Sequence, residues 1–166
     1  MRVNIALLTV TDTRTFDNDK SGEILVNKIE EANHNLIDRK ICKDDKDEIV
    51  IILKEWIKKK EIDVVITTGG TGLTGRDITP EAVKEIASKH IDGFGELFRQ
   101  VSFKKIGTSA IQSRAVAALI NSTYVFCLPG STGACKDGWD EILKYQLDIR
   151  HKPCNFVEIM PRLNEK

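Results

Sequence analysis

Residues 62–82 read Ile62-Asp-Val-Val-Ile-Thr-Thr-Gly-Gly-Thr-Gly-Leu-Thr-Gly-Arg-Asp-Ile-Thr-Pro-Glu-Ala82. Val64, Val65 and Ile66 form a short β-branched run that suits a strand buried on both faces. The run gives way to Thr67-Thr68 and four glycines, Gly69, Gly70, Gly72 and Gly75. Thr79-Pro80-Glu81 then predicts a helix start: Thr79 can cap, Pro80 fits the first helical position and Glu81 suits the positive end of the dipole. Strand, glycine loop and helix start together present backbone N–H groups to a phosphate. A carboxylate in such a loop suits a divalent cation that neutralises the phosphate, which singles out Asp77. A glycine-rich surface turn with no ligand is the plainer alternative. Gly70-Thr-Gly-Leu-Thr-Gly75 also matches the dinucleotide fingerprint, but no acidic residue closes a second strand after it. A Walker A loop is excluded, because no Gly-Lys-Ser/Thr ends the loop.

On the N-terminal side, residues 3–10 predict a first buried strand, followed by a polar loop over residues 11–21. Asp19 or Ser21 can cap the helix that follows, which places Ile24, Leu25, Ile29 and Ala32 on one face. Leu36 to Cys42 predicts a second strand near an edge. Lys43-Asp44-Asp45-Lys46-Asp47 stands at the next strand-to-helix junction. One cap does not need three aspartates, so a ligand role for one stays open. Ile49, Ile52, Leu53, Trp56 and Ile57 give a helix with Trp56 in the core, closed by the solvated cations Lys58, Lys59 and Lys60.

On the C-terminal side, the pattern predicts a helix from about Pro80 to His90, a break at Asp92-Gly-Phe-Gly-Glu96, and a further helical stretch. Ser109-Ala-Ile-Gln112 has the form of a capping box and predicts a helix over residues 109–119, with Ser113 and Arg114 in its first turns. Arg114 there can reach an anion or form a surface salt bridge. Two helices with no strand between them predict an insertion packed beside the sheet. Thr123-Tyr-Val-Phe-Cys-Leu128 predicts another buried strand, and residues 129–133 a second glycine loop. The loops over residues 11–21, 69–79 and 129–133, and the Asp44 junction, should converge at one sheet edge.

The chain has 166 residues, enough for one domain, with 41% hydrophobic and 30% charged residues. Lys+Arg and Asp+Glu are both 25, so nothing points to a nucleic-acid or membrane partner, and little charge opposes self-association. The apolar run near the N-terminus is too short to span a membrane and lacks a cleavage region, so a cytoplasmic setting is expected. Cys42, Cys127, Cys135 and Cys154 have no metal spacing and read as reduced thiols. His34, His90 and His151 are scattered.

With these residues in hand the chain resembles the MoaB/MogA family of molybdenum cofactor biosynthesis proteins. The matching stretches are residues 67–82, Gly93-Phe-Gly-Glu96, Ser113-Arg114 and Leu128-Pro-Gly130. Residues 107–116, 129–132 and 150–156 look like the protein B branch in particular. The resemblance implies a three-layer α/β/α sandwich around a mostly parallel sheet, assembled as a trimer or hexamer. It implies one molybdopterin-binding domain over residues 1–150; residues 151–166, with two prolines and a charged end, predict an extended tail packed on it. It further implies Mg2+ as cofactor and ATP and molybdopterin as substrates of an adenylyltransferase, with a non-catalytic molybdopterin-binding protein as the alternative. Asp77 matches the motif's catalytic, metal-binding aspartate, and Asp44 a second acidic position. Thr68, Gly69, Gly70, Thr71 and Gly72 would cradle phosphate, and Ser113, Arg114, Pro129, Gly130 and Ser131 would border the pterin end.

Overall fold

Six strands make one sheet: β1 (Asn4–Val10), β2 (Asn35–Cys42), β3 (Val64–Thr68), β4 (Lys89–His90), β5 (Val116–Ile120) and β6 (Thr123–Leu128). Their order in the computed structural model, which describes residues 1–165, is β2-β1-β3-β6-β5-β4. β1 pairs in parallel with β2 and β3, and β3 with β6, whereas β5 runs antiparallel to both β6 and β4. β2 lies at the edge, as its thinner apolar content predicts.

The period-two alternation of the strands sorts the core into two layers. Ile5 and Leu7 of β1 and Val64 and Ile66 of β3 face one side, with Leu25, Phe98 and Trp139. Ala6, Leu8 and Val65 face the other, with Ile49, Leu53, Trp56 and Val83. The first layer therefore sits under α1 (Lys20–Glu31), α4 (Asp92–Ile106) and α5 (Thr132–Gly138), which continues through a π-helical turn Trp139–Leu143. The second sits under α2 (Lys46–Ile57) and α3 (Thr79–Ile86). This is the three-layer sandwich. Trp56 is fully buried and donates its indole N–H to Asp38 at 2.8 Å, a core anchor as its helical spacing predicts.

Two caps follow the sequence: Asp19 accepts from Gly22 N at the start of α1, and Asp45 from Glu48 N at the start of α2. Asp45 being the cap leaves Asp44 free to point elsewhere. Thr79 does not cap α3; its hydroxyl donates to the Gly69 carbonyl at 3.0 Å.

Three expectations on the C-terminal side are corrected. The helix expected over residues 109–119 is instead a 3-10 turn, Gly107–Gln112, followed by β5. Val116-Ala-Ala-Leu-Ile120 gains more by pairing with β6 in a two-residue hairpin, turned at Asn121 with φ 54°, than by closing a short helix. The helix from Pro80 stops at Ile86, and Lys89–His90 pairs with β5; of the two helices expected as an insertion, α4 packs beside the sheet as expected, while β5 takes the place of the second and extends the sheet itself. The tail is not extended: Phe156–Ile159 forms a helical turn and Met160–Arg162 a 3-10 turn. Phe156 packs against Tyr124 and Phe126 with ring centroids 4.8 and 5.3 Å apart, and that aromatic burial curls the chain. Lys166, the last residue of the expected tail, lies outside the described residues. Among the described residues no helix is long and apolar enough to cross a membrane.

Candidate functional site

β1 has β2 on one side and β3 on the other, so the direction of chain travel switches beside it. Open α/β sheets place ligands outside the strand ends at such a point. Here the loops after β1, β2, β3 and β6 surround a cleft of about 480 Å³.

The loop after β3 forms its floor. Gly69 has φ 100°, and a Cβ there would lie 2.1 Å from the Val10 carbonyl oxygen, so only glycine fits between β1 and this loop. Gly69 N donates to Leu128 O at 3.0 Å, fastening the loop to β6. The N–H groups of Gly70 and Thr71 make no backbone–backbone hydrogen bond among the described residues. Both residues line the cleft, an arrangement able to receive an anion.

Asp44 and Asp77 share this cleft. Burial pushes the Asp44 carboxyl up, and the like charges of Asp12 and Asp77 push it the same way, so it lies above the usual carboxylate range. Burial also pushes Asp77 up, but hydrogen bonds from the Thr74 hydroxyl, Thr74 N and Gly72 N, with the Arg114 charge, outweigh that and hold it below the usual range. The Thr74 bonds run to Asp77 Oδ2 at 2.7 and 2.9 Å. The pair suits a divalent cation of the Mg2+ kind. A positive charge beside Asp44 would offset the burial and the Asp12 and Asp77 charges that raise it. No group of three or more His, Cys, Asp or Glu that could hold an ion occurs among the described residues, and Mg2+ commonly takes one or two carboxylates and completes its shell with substrate phosphates and water.

The second glycine loop closes the opposite side. Pro129, Gly130 and Ser131 line the cleft, and Ser131 also caps α5 through Ala134 N at 3.1 Å. Thr68 does not face the cleft. Its buried hydroxyl donates to Pro129 O at 3.0 Å and ties the two loops together. Ser113 lines the cleft, but Arg114 does not. Its Nε donates to Gly72 O at 2.7 Å, its Nη2 to Asp77 O at 2.9 Å, and its Nη1 pairs with Glu81. Arg114 is a brace behind the loop: of its two sequence readings, the salt bridge is formed, with Glu81, while an anion-binding arginine is not among the residues lining the cleft.

Several lining residues were not singled out by sequence. Arg14, Thr11 and Thr13 come from the loop after β1, and Phe98, Ser102 and Ile106 from one face of α4. Arg14 had a signal, as the one cation in that loop before the first helix. The α4 residues had none beyond an apolar face that reads as core. Arg76, outside the lining, grips Asp12 in bidentate fashion at 2.9 and 3.0 Å and links the first and third loops across the surface.

Sheet, switch point and cleft define an α/β protein with a candidate small-molecule site at the carboxyl ends of its parallel strands. A family profile described as "Probable molybdopterin binding domain" matches residues 6–149. The chain is 45% identical over 152 residues to molybdenum cofactor biosynthesis protein B of Escherichia coli (strain K12), covering 92% of this chain and 89% of that protein. It is 45% identical over 149 residues to the protein of the same name from Staphylococcus aureus (strain MRSA252), covering 88% of each. A crystal structure of molybdenum cofactor biosynthesis protein B superposes with TM-score 0.89 at 38% identity over 100% of this chain and 98% of that one. The tungsten cofactor synthesizing protein MoaB from Pyrococcus furiosus gives 0.79 at 38% identity over 88% and 92%. The chain belongs to the MoaB family of molybdenum cofactor biosynthesis proteins.

Proposed function

We propose that this protein acts in molybdenum cofactor biosynthesis by binding molybdopterin and transferring an adenylyl group from ATP to its terminal phosphate. The observation that carries this reading is the meeting of two unlike carboxylates, Asp44 and Asp77, in one cleft with the N–H groups of Gly70 and Thr71, which have no backbone partner among the described residues. Two anionic substrates must be brought together there. A phosphate oxygen of the pterin forms the new bond to the α-phosphorus of ATP, the bond to the β-phosphate breaks, and pyrophosphate leaves. No general base is required, because the attacking phosphate is already ionised at neutral pH.

Asp77 and Asp44 would hold Mg2+, which supplies charge neutralisation at the α-phosphate. The loop N–H groups offset charge developing on the phosphoryl oxygens. Thr74 keeps the Asp77 carboxylate fixed and ionised, and Arg114 keeps the loop that carries it in one shape. Exposed Phe103 and Ile111 border one apolar groove outside the cleft, which supports a homo-oligomer, the trimer or hexamer that the resemblance implies. The buried thiols of Cys42 and Cys127, each pushed up to about 12 by burial, suit a reducing, cytoplasmic setting.

Incubating the protein with molybdopterin, ATP and Mg2+ and separating the adenylylated pterin by chromatography tests the reaction. Asp77→Asn keeps an acceptor for Thr74 but loses the charge. Turnover should fall by at least about 100-fold while molybdopterin binding persists. Equal turnover in the variant removes Asp77 from the chemistry. No product from the wild type, with molybdopterin still bound, makes the protein a non-catalytic binder.

A further inference from the structure

Arg14 is the one cationic side chain among those lining the cleft, set against the carboxylates of Asp44 and Asp77. Its own loop and the second glycine loop hold it. The Arg14 N–H donates to Thr11 Oγ1 at 3.3 Å. Its Nη1 donates to the Gly130 carbonyl and to Ser21 Oγ, both at 3.1 Å, and the Ser21 hydroxyl donates to the same carbonyl at 2.6 Å. One corner of the guanidinium is thereby pinned to Gly130. All its side-chain bonds leave from Nη1, so Nε and Nη2 remain to donate. None of these partners carries a charge. The ion pairs of the described residues engage Arg39, Arg76, Arg114, Arg150 and Arg162, but not Arg14.

A half-buried guanidinium that is pinned at one nitrogen, faces a cleft and lacks an acidic partner offers a bidentate seat for an oxyanion. Its placement separates two kinds of phosphate. A Cβ built on Gly70 would lie 3.0 Å from Asp44 Oδ1 and one on Gly72 2.7 Å from Asp77 Oδ2, whereas Arg14 Nη1 sits 3.1 Å from the Gly130 carbonyl oxygen. The cleft is thus negative beside Gly70 and Gly72 and positive beside Gly130. A nucleotide that carries a divalent cation suits the negative side. A phosphate monoester that enters without one needs a fixed positive charge.

We infer that Arg14 binds the phosphate monoester of the pterin substrate and holds its oxygen toward the nucleotide side of the cleft. This rests on the molybdopterin reading above and adds the residue that tells a phosphorylated pterin from an unphosphorylated one. Arg14, expected nowhere as a ligand, takes over the role of anion-binding arginine from Arg114, which the fold turns into a brace.

The test compares wild type, Arg14→Gln and Arg14→Lys in fluorescence titrations with molybdopterin, with dephosphorylated molybdopterin, and with ATP plus Mg2+. Thermal melts of the three proteins establish that each is folded. Arg14→Gln should weaken molybdopterin about 10- to 100-fold, the range of a lost charge-assisted pair. Arg14→Lys should recover part of that loss, because it restores the charge without the fork. All three proteins should bind the dephosphorylated pterin and ATP alike. An equal loss for both pterins would make Arg14 a brace for Gly130 and overturn the inference. So would a loss confined to ATP, or none at all. Molybdopterin binding that ignores Arg14 removes this inference alone, whereas a wild type that binds no molybdopterin removes the proposed function with it.

Discussion

In the parallel part of the sheet, β2, β1, β3 and β6 each hand the cleft the residues that follow them: Asp44, Arg14, Gly69 to Gly72, and Pro129 to Ser131. In the antiparallel extension the order reverses. β5 runs against β6, so the residues at the cleft are those that precede it, Gln112 and Ser113, with Arg114 just behind. The parallel part supplies chemical groups on tightly constrained loops, and the extension supplies a wall and a brace. A sheet with one reversed strand can therefore draw site residues from both ends of its strands in sequence while using only one edge in space.

The largest effect should come from disturbing the constrained side. Gly69→Ala puts a methyl group 2.1 Å from the Val10 carbonyl oxygen at φ 100°. The obstacle is backbone of a central strand and cannot swing away. The expected cost is more than about 4 kcal/mol in urea unfolding, combining positive-φ strain with overpacking. A cost near 1 kcal/mol would mean that β1 and the loop are not tightly seated on each other.

Arg114→Met addresses the link between the two regions. It removes the donors to Gly72 O and Asp77 O and takes the ion-pair partner from Glu81 Oε1, while Glu81 Oε2 is buried with no hydrogen bond of its own. The expected loss is about 2–3 kcal/mol, with faster amide exchange in the loop over residues 69–79 and unchanged exchange in β1. A loss spread evenly over the sheet would make Arg114 part of the general framework rather than a loop brace.

The same division governs what could be read beforehand. Strands buried on both faces announce themselves as apolar runs, and each helix of the parallel part carries its own cap or periodicity, so β1, α1, β2, α2, β3 and β6 were legible from local pattern. That one aspartate of the cluster Asp44, Asp45 and Asp47 exceeded capping need was legible from the residues, but only the family resemblance singled out Asp44. The extension was not legible, because Ser109-Ala-Ile-Gln112 satisfies a local capping rule while the decisive interaction, pairing of β5 with β6, is tertiary. Arg114 was placed near the site for a reason the fold does not use. Arg14 was passed over because its meaning depends on Gly130, 116 positions away in sequence.

Gly107→Ala gives the smallest of these effects and the sharpest contrast with Gly69. Both glycines have positive φ, and at Gly107, which ends α4, the backbone sits at φ 59° and ψ −139°. A Cβ there meets nothing within 4 Å, so the substitution carries backbone strain but no collision. The expected cost is about 1–3 kcal/mol, below that of Gly69→Ala, with an unchanged urea m-value because the sheet core is untouched. The strain should appear as faster exchange across Gly107–Gln112, where the chain turns from α4 toward Ser113, while β3 and its loop stay protected. If Gly107→Ala cost as much as Gly69→Ala, the wall would have to be seated on the core as rigidly as the loop is seated on β1. The distinction between a constrained loop edge and a more pliant wall would then fail.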